Sequence, residues 1–380
     1  MTPTNVCNPF SLGIAKGMNF CNRLKEKEEL ARHARNGNNV VLMAPRKSGK
    51  SSLVEEVLNQ VKEEGLIIAY VDLFSVASEH DFIQKFGAAL VRDIGKGIDP
   101  RTFTEKAKNL FGNVKIGFEI TKEGFQRWFL KLDSEEKPED SLEDILTGLY
   151  RYVQKEKAHA CIALDEFQEI TKLEESKKIE GLLREHMQHH RDISYIYVGS
   201  RRRILQAMFN DKKRPFYKSA FNYELRTILK EEFTQYIIDK FANSEKLCTR
   251  DAANCIYDLT RGYAYYVQKL SLISWDLTDK VLEADIVNKV AFERLIESEH
   301  YDFESIWERL KTRNNRALFR AIAEDPTPSP FSREFLHRHN FSIGGSQSSM
   351  KVLLAEDVVE VDEKEIYRVT DPILGAWARK

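Results

Sequence analysis

The stretch VVLMAPRKSGKSSLVEEV, residues 40–57, constrains the fold more than any other part of this 380-residue chain. Val40–Met43 is a short apolar run that leads directly into a loop containing a glycine–lysine pair. From Ser51 to about Val61, apolar residues recur with helical spacing. The pattern predicts a buried strand, a tight loop and a helix in immediate succession.

Further apolar, β-branched runs of strand length follow along the chain, and helical patterns separate them. Alternation of buried strands with helices predicts an α/β fold in which helices cover both faces of a parallel sheet. With Val40–Met43, a five-stranded sheet results. Its other predicted strands are Leu66–Phe74, Ala160–Phe167, Ile193–Ser200 and, as a candidate fifth, Asn222–Ile228.

After the predicted sheet, the pattern of predicted secondary structure changes twice along the chain. Residues 230–278 are a series of helical patterns, which predicts a helical lid. From about Asn314, three helices and an alternating ribbon follow in the order of a winged helix-turn-helix. Asn113–Gly124 alternates like a hairpin. We predict a P-loop core over 1–228 with an insertion near 100–145, a lid over 229–313 and a winged helix over 314–380.

Composition and charge indicate in which cellular compartment the protein is found. The five cysteines are odd in number and scattered, which is typical of reduced thiols in an intracellular protein. The first residues lack the pattern of a signal peptide, and no apolar run is long enough to span a bilayer. A net charge of −1 gives no global argument for nucleic acid or membrane binding. We therefore expect a cytoplasmic protein without a membrane partner.

The glycine–lysine loop resembles the phosphate-binding pattern G-x-x-x-x-G-K-S/T, with Ala44 at the first glycine position. Gly49 leaves room for a phosphate, Lys50 can reach the β- and γ-phosphates, and the Ser51 hydroxyl can ligate Mg²⁺. The following helix presents its positive end to the same phosphates. A chance sequence at the start of a basic helix is the alternative. The predicted nucleotide-binding residues of the loop are Arg46, Lys47, Ser48, Gly49, Lys50, Ser51 and Ser52.

An acidic pair closes the third predicted strand. Asp165 and Glu166 lie at its carboxyl end, where ligands bind in open α/β sheets. Asp165 suits the magnesium side, together with Ser51, and Glu166 suits the base that orients water on the γ-phosphate. An ordinary exposed acidic pair is the alternative. Combined with the loop, the pair predicts binding of ATP and Mg²⁺ and ATP hydrolysis.

The order of the loop, LDEFQ (164–168) and VGSRRR (198–203) resembles the STAND-type P-loop ATPases, signal-transduction relatives of the AAA+ class. Their archaeal-type branch is the most similar. Its opening segment is matched here by Phe20 and Arg23, with Asn22 in place of a glycine. The resemblance extends through residues 214–225, 260–270 and 371–377, and so over almost the whole chain. In the family the opening segment packs near the adenine, which implies that Arg23 lies at the nucleotide.

Two further sites depend on the fourth strand and on the lid. Ser200 at the strand end can bond the γ-phosphate or its attacking water, and in related NB-ARC switches the arginine at the position of Arg201 reads that phosphate. Arg202 or Arg203 could take this role instead, or all three could be solvated residues of a helix start. Gly262 lies in a stretch similar to the family's G-x-P motif, which implies close approach to the nucleotide. The alternative is a helix start with core aromatics.

Three functions stay open. The first is a slow ATPase that acts as a nucleotide-driven conformational switch in signalling or defence, with a separate protein partner or self-oligomer. The second is a DNA-associated ATPase that uses its winged helix. The third is a nucleotide-holding scaffold without turnover. For DNA, the predicted recognition helix 346–355 offers Gln347, Ser348, Ser349 and Lys351, but its wing is acidic. The basic segment Arg201–Lys218 could contact phosphates, sense the γ-phosphate or face another subunit.

Overall fold

A computed structural model describes residues 7–14, 17, 20–95, 115–120, 126–131, 137–362 and 364–380, with 115–120 and 126–131 described by their backbone alone. The chain forms two compact units. The core unit is Arg23–Arg226, and the C-terminal unit combines Met1–Asn22 with Thr227–Lys380. The division near residue 226 lies close to the predicted end of the core. The further separation of lid from winged helix stays a prediction.

The core unit is built on a sheet of five parallel strands, which confirms the predicted α/β class. Across the sheet the order is β2 (Ile67–Asp72), β5 (Ala160–Asp165), β6 (Ile193–Gly199), β1 (Val40–Met43) and β7 (Phe221–Glu224). Every residue of β1, β5 and β6 is buried, because helices cover these central strands on both faces. In chain order the strands of this unit are β1 Val40–Met43, β2 Ile67–Asp72, β3 Lys115–Ile120, β4 Gln126–Lys131, β5 Ala160–Asp165, β6 Ile193–Gly199 and β7 Phe221–Glu224.

Six α-helices and a 3-10 helix connect these strands in the described residues. They are α1 Leu24–Arg35, α2 Lys50–Glu63, α3 Glu79–Ile94, α4 Pro138–Glu156, the 3-10 helix Phe167–Lys172, α5 Ser176–Met187 and α6 Arg202–Asn210. An aromatic cluster on one side of the sheet joins Phe167, Tyr197, Phe209 and Phe216, with ring centroids 4.7–6.1 Å apart. This packing fixes the 3-10 helix that follows Glu166.

The insertion predicted near residues 100–145 is described only in part, and its bounds stay a prediction. Strand β3 pairs with β4 in antiparallel register, so the alternation ending at Gly124 corresponds to one strand and the second begins at Gln126. Helix α4 begins at Pro138, whose fixed φ suits the first turn of a helix. The regular pattern therefore resumes inside the predicted 100–145 range. The rest of that range lies outside the described residues.

The C-terminal unit begins with helices that were predicted as a lid and ends in the winged helix. Its elements are α7 Lys230–Ala242, β8 Leu247–Cys248, α8 Arg250–Thr260, α9 Ala264–Asp276, β9 Val281–Leu282, α10 Ala284–Ile286, a π-helical turn Val287–Ala291, α11 Phe292–Ser298, α12 His300–Arg309, α13 Arg313–Glu324, α14 Arg333–Arg338, α15 Ile343–Ala355, β10 Val359–Val361, β11 Tyr367–Val369 and α16 Pro372–Ala378. The antiparallel β10–β11 ribbon after α13–α15 confirms the predicted winged helix. Within the described part of the chain, no helix combines the length and apolar character needed to cross a membrane.

Candidate nucleotide site

The backbone of the loop between β1 and α2 explains how Ala44 is accommodated. Ala44 is fully buried, and its N–H donates to the carbonyl of Gly199 over 3.3 Å, which continues the pairing of β1 with β6. Lys47 and Gly49 then adopt left-handed φ values of 65° and 86°. Gly49 directly precedes α2, whose first N–H groups have no acceptor within the helix. A small residue at position 44 thus preserves the pairing of β1 with β6. The left-handed backbone at position 49 favours a glycine there.

Lys50 and Glu166 form a buried ion pair at the start of α2. Their side chains are 9% and 12% exposed, and Lys50 Nζ lies 2.8 Å from Glu166 Oε1. Ser200 Oγ donates to Glu166 Oε2 over 2.9 Å, and the Gln168 amide donates to the same oxygen. Three of the predicted site residues, Lys50, Glu166 and Ser200, therefore meet in one cluster.

The charge state of Glu166 follows from these contacts. Burial raises the pKa of Glu166, but the charge of Lys50 and the hydrogen bonds from Lys50, Gln168 and Ser200 outweigh burial and leave the pKa below its ordinary value. The carboxylate is therefore ionised at neutral pH. While Lys50 holds it, it is a weak base.

A second group of contacts surrounds Asp165. Ser51 Oγ donates to Asp165 Oδ2 over 2.8 Å, so the two residues predicted to ligate Mg²⁺ are in contact. The Tyr70 hydroxyl donates to the same oxygen, and the N–H of Glu166 donates to Asp165 Oδ1 over 2.9 Å. Burial, together with Asp165, raises the pKa of Tyr70, so the phenol stays protonated. Sequence analysis missed Tyr70. Tyr70 lies in an apolar run that predicts a buried strand. The sequence feature that could have indicated a functional role is its polar hydroxyl near the end of that strand.

Arg23 reaches the loop from the beginning of the core unit. Its side chain is 3% exposed and its φ is 64°. Nη2 donates to the carbonyl of Ser48 over 3.2 Å, and Nη1 donates to the carbonyl of Arg226 over 2.9 Å. The Arg23 side chain therefore supports the phosphate loop by binding the backbone of that loop. Its expected place at the adenine stays a prediction.

The arginines after β6 differ in their surroundings. Arg201 precedes α6, is half-buried, and makes no side-chain hydrogen bond or ion pair with any described residue. Arg202 binds Glu224 at 2.8 Å, and Arg203 is exposed. Farther along the basic segment, Arg214 donates through Nε to the buried Glu180 over 3.0 Å. Of this set, Arg214 serves the core, and the sensor role of Arg201 stays a prediction.

Gly262 belongs to the C-terminal unit, in the turn between α8 and α9. Its φ is 69°, and a Cβ there would lie 2.8 Å from ring atoms of Tyr257. Both features favour glycine for local reasons. Its expected approach to a nucleotide stays a prediction.

The residues of the loop fit a phosphate chain with a bound cation. The Ser48 hydroxyl is buried without a hydrogen-bond partner among the described residues, and buried hydroxyls ordinarily have one. No group of three or more His, Cys, Asp or Glu side chains suited to a metal occurs in the described ranges. Ser51 and Asp165 could therefore supply the protein's part of a Mg²⁺ shell, while phosphate oxygens and water complete it. Arg46, Lys47 and Ser52 lie on the same loop and at the start of α2.

Comparisons with known proteins agree with this architecture. Residues 32–209 match the family described as "AAA domain", and residues 301–380 match the family described as "Probable winged helix domain". The core is thus similar to AAA domains, and the chain ends in a winged helix. No match was found among curated protein sequences.

Two solved structures extend the likeness over nearly the whole chain. A Walker-type ATPase of Pyrococcus abyssi has a TM-score of 0.71 at 16% identity, covering 98% of this chain and 100% of that chain. The Aeropyrum pernix ORC2 protein, solved as ADPNP–ADP complexes, has a TM-score of 0.60 at 16% identity, covering 97% of both chains. At these identities the likeness establishes the fold.

Proposed function

We propose that this protein binds ATP with Mg²⁺, hydrolyses it slowly, and acts as a STAND-type conformational switch in the cytoplasm, in signalling or defence. The observation that carries the proposal is the cluster of Lys50, Glu166 and Ser200 beside Ser51 and Asp165. The nucleotides bound by the Aeropyrum pernix ORC2 protein support ATP and ADP as ligands on the same fold.

In this proposal Lys50 exchanges one anionic partner for another. In the structure it lies 2.8 Å from Glu166, and on binding it turns to the β- and γ-phosphates. Mg²⁺, when bound at Ser51 and Asp165, supplies positive charge to the phosphate oxygens. Glu166 is then released to accept a proton from water, with Ser200 holding its other oxygen. Because the base is released only when Lys50 leaves it, we expect slow turnover.

The switch requires a group that distinguishes ATP from ADP. Ser200 touches Glu166 and directly precedes Arg201 and helix α6, so a shift at the γ-phosphate can be passed to this helix. Arg201, which lacks a described partner, suits the γ-phosphate in the same chain or in a neighbouring copy. A separate protein partner or a self-oligomer then reads the nucleotide state.

Calorimetry of ATP binding, with and without Mg²⁺, tests the first step. Wild-type protein should bind Mg–ATP, and Lys50→Ala should lose that binding because the phosphates lose their mobile cation. Limited proteolysis tests the switch. Mg–ATP on Glu166→Gln should change the digestion pattern, while ADP should not, and Arg201→Ala should remove the difference. Binding without phosphate release or altered digestion supports the scaffold function instead.

DNA association is the second candidate, because the chain ends in a winged helix. On α15, Gln347, Ser348 and Lys351 are exposed, whereas Ser349 is buried against the helices and cannot read a base, contrary to expectation. One lysine is a small electrostatic footprint. Salt-dependent binding of duplex DNA, lost in Lys351→Ala, would favour this function over the switch.

A further inference from the structure

The C-terminal unit contains a cavity of about 290 Å³ that has no part in the proposed ATPase reaction. It lies where α8 and its following turn, the end of α13 and the start of α16 come together with strand β11. Lid residues and winged-helix residues therefore contribute to one pocket. Its volume is near the lower end of the range for small-molecule sites.

The lining of the cavity carries an excess of positive charge. Arg261, Arg368 and Arg379 line it, and Asp258 is its one acidic residue. Both carboxylate oxygens of Asp258 lie 2.7 Å from Lys230 Nζ, so its charge is already balanced.

The three arginines are not equivalent. Arg368 is paired with carboxylates, through Nε to Glu360 at 3.0 Å and through Nη1 to Asp362 at 3.3 Å. Arg261 instead donates through Nη2 to the carbonyls of Val369 and Thr370, over 2.7 and 3.2 Å.

Arg379 resembles Arg261, since its Nη1 donates to the carbonyl of Ala323 over 2.9 Å. Neither Arg261 nor Arg379 is paired with a carboxylate of the described residues. Arg261 is half-buried, and burial lowers its pKa, yet a guanidinium stays protonated at physiological pH. Arg261 also feels the charges of Glu360 and Asp371, and Arg379 is exposed to solvent. Both guanidinium groups therefore present N–H donors at the cavity that are not held in an ion pair.

The remaining walls are apolar. Leu259 and Phe292 are half-buried there, Ile322 is fully buried, and Pro326 and Pro372 also belong to the lining. A guanidinium presents a planar fork of N–H donors that matches the oxygens of a phosphate. The lining therefore combines an anion-recognising part with an apolar part.

We propose that this cavity binds a small organic phosphate, whose phosphate is held by Arg261 and Arg379 and whose apolar group packs on Leu259 and Phe292. Such a ligand contacts both α8 and the winged helix, so it stabilises their packing within the C-terminal unit. The cavity belongs to the C-terminal unit, whereas the nucleotide loop belongs to the core unit.

Phenyl phosphate is a suitable probe. The measurement uses full-length Lys50→Ala protein, so that binding of the probe at the phosphate loop does not contribute. We expect saturable binding in calorimetry, with weaker binding of inorganic phosphate and of phenol, which each lack one part of the probe. Arg261→Gln and Arg379→Gln should each weaken binding at least about tenfold, the loss of one charge-assisted contact. The control Arg338→Gln removes an exposed winged-helix arginine paired with Asp325 and Glu334, and should leave binding unchanged.

A second measurement keeps the proposal testable if an arginine variant fails to fold. In protein with labelled methyl groups, phenyl phosphate should shift the signals of Leu259 and Ile322 before any others. No saturable binding at millimolar probe, equal binding by all variants, or methyl shifts confined to other parts of the chain would each overturn the proposal. None of these outcomes bears on ATP binding, which is measured separately on wild-type protein.

Discussion

Replacing Glu166 by glutamine separates the two partners of the buried Lys50–Glu166 pair. The substitution removes the charge, and the single amide oxygen can accept from Lys50 or from Ser200, which bond different oxygens of Glu166. Removing one partner of a buried pair costs about 3–5 kcal/mol, and a hydrogen bond from the Lys50 ammonium to the amide oxygen recovers part of it. Since both side chains keep some exposure, 9% and 12%, we expect the free energy of unfolding without nucleotide to fall by about 1–3 kcal/mol.

The same interaction must be broken in the wild-type protein when Lys50 turns to the phosphates. The variant has less to break, so its ATP affinity should rise by a similar free energy. At about 1.4 kcal/mol per tenfold change, this corresponds to roughly tenfold tighter binding or somewhat more. Turnover should fall by at least about a hundredfold, because the general base is lost.

Glu169→Gln is the matched control. Glu169 is a buried glutamate on the 3-10 helix after β5, and it is paired with Lys172. Its replacement should lower stability and leave ATP affinity unchanged. Denaturant titration, calorimetry with Mg–ATP and phosphate release measure the three quantities. A destabilised Glu166→Gln that binds ATP no more tightly than wild type would refute the exchange of partners by Lys50, and unchanged turnover would place the base elsewhere.

Three further predictions concern residues around the site and in the core. Tyr70→Phe removes a hydrogen bond to Asp165, so the Mg²⁺ dependence of ATP binding should weaken about two- to tenfold. Binding of ATP without metal should be unchanged. An unaltered Mg²⁺ titration would contradict this prediction. Arg23→Gln frees the carbonyl of Ser48 and should lower ATP affinity about tenfold in calorimetry, and wild-type affinity would show that the loop needs no such support. Burial lowers the pKa of His190 to about 4 from 6.5. The free energy of unfolding should therefore fall as the pH drops from 6.5 toward 4, by at most on the order of 3 kcal/mol. Denaturant titrations at several pH values should show that His190→Gln flattens this dependence.

The sequence by itself determined the sheet, the phosphate loop and the winged helix. Val40–Met43 and Ala160–Asp165 are continuous apolar runs because both faces of a central parallel strand are covered, and such runs are visible without coordinates. Gly49 and Lys50 follow from the local geometry of a strand–loop–helix unit, and the position of Asp165 follows from where its strand ends.

Contacts between distant segments were decided only by the tertiary structure. The pairing of Lys50 with Glu166, the hydroxyl of Tyr70 on Asp165 and the bond from Arg23 to the loop each join residues that are far apart in the chain. Gly262 illustrates the same limit, since the ring that requires a glycine there, that of Tyr257, is set by the path of the turn. Periodicity identifies which face of an element is buried, but the partner that a polar side chain meets depends on how whole elements pack.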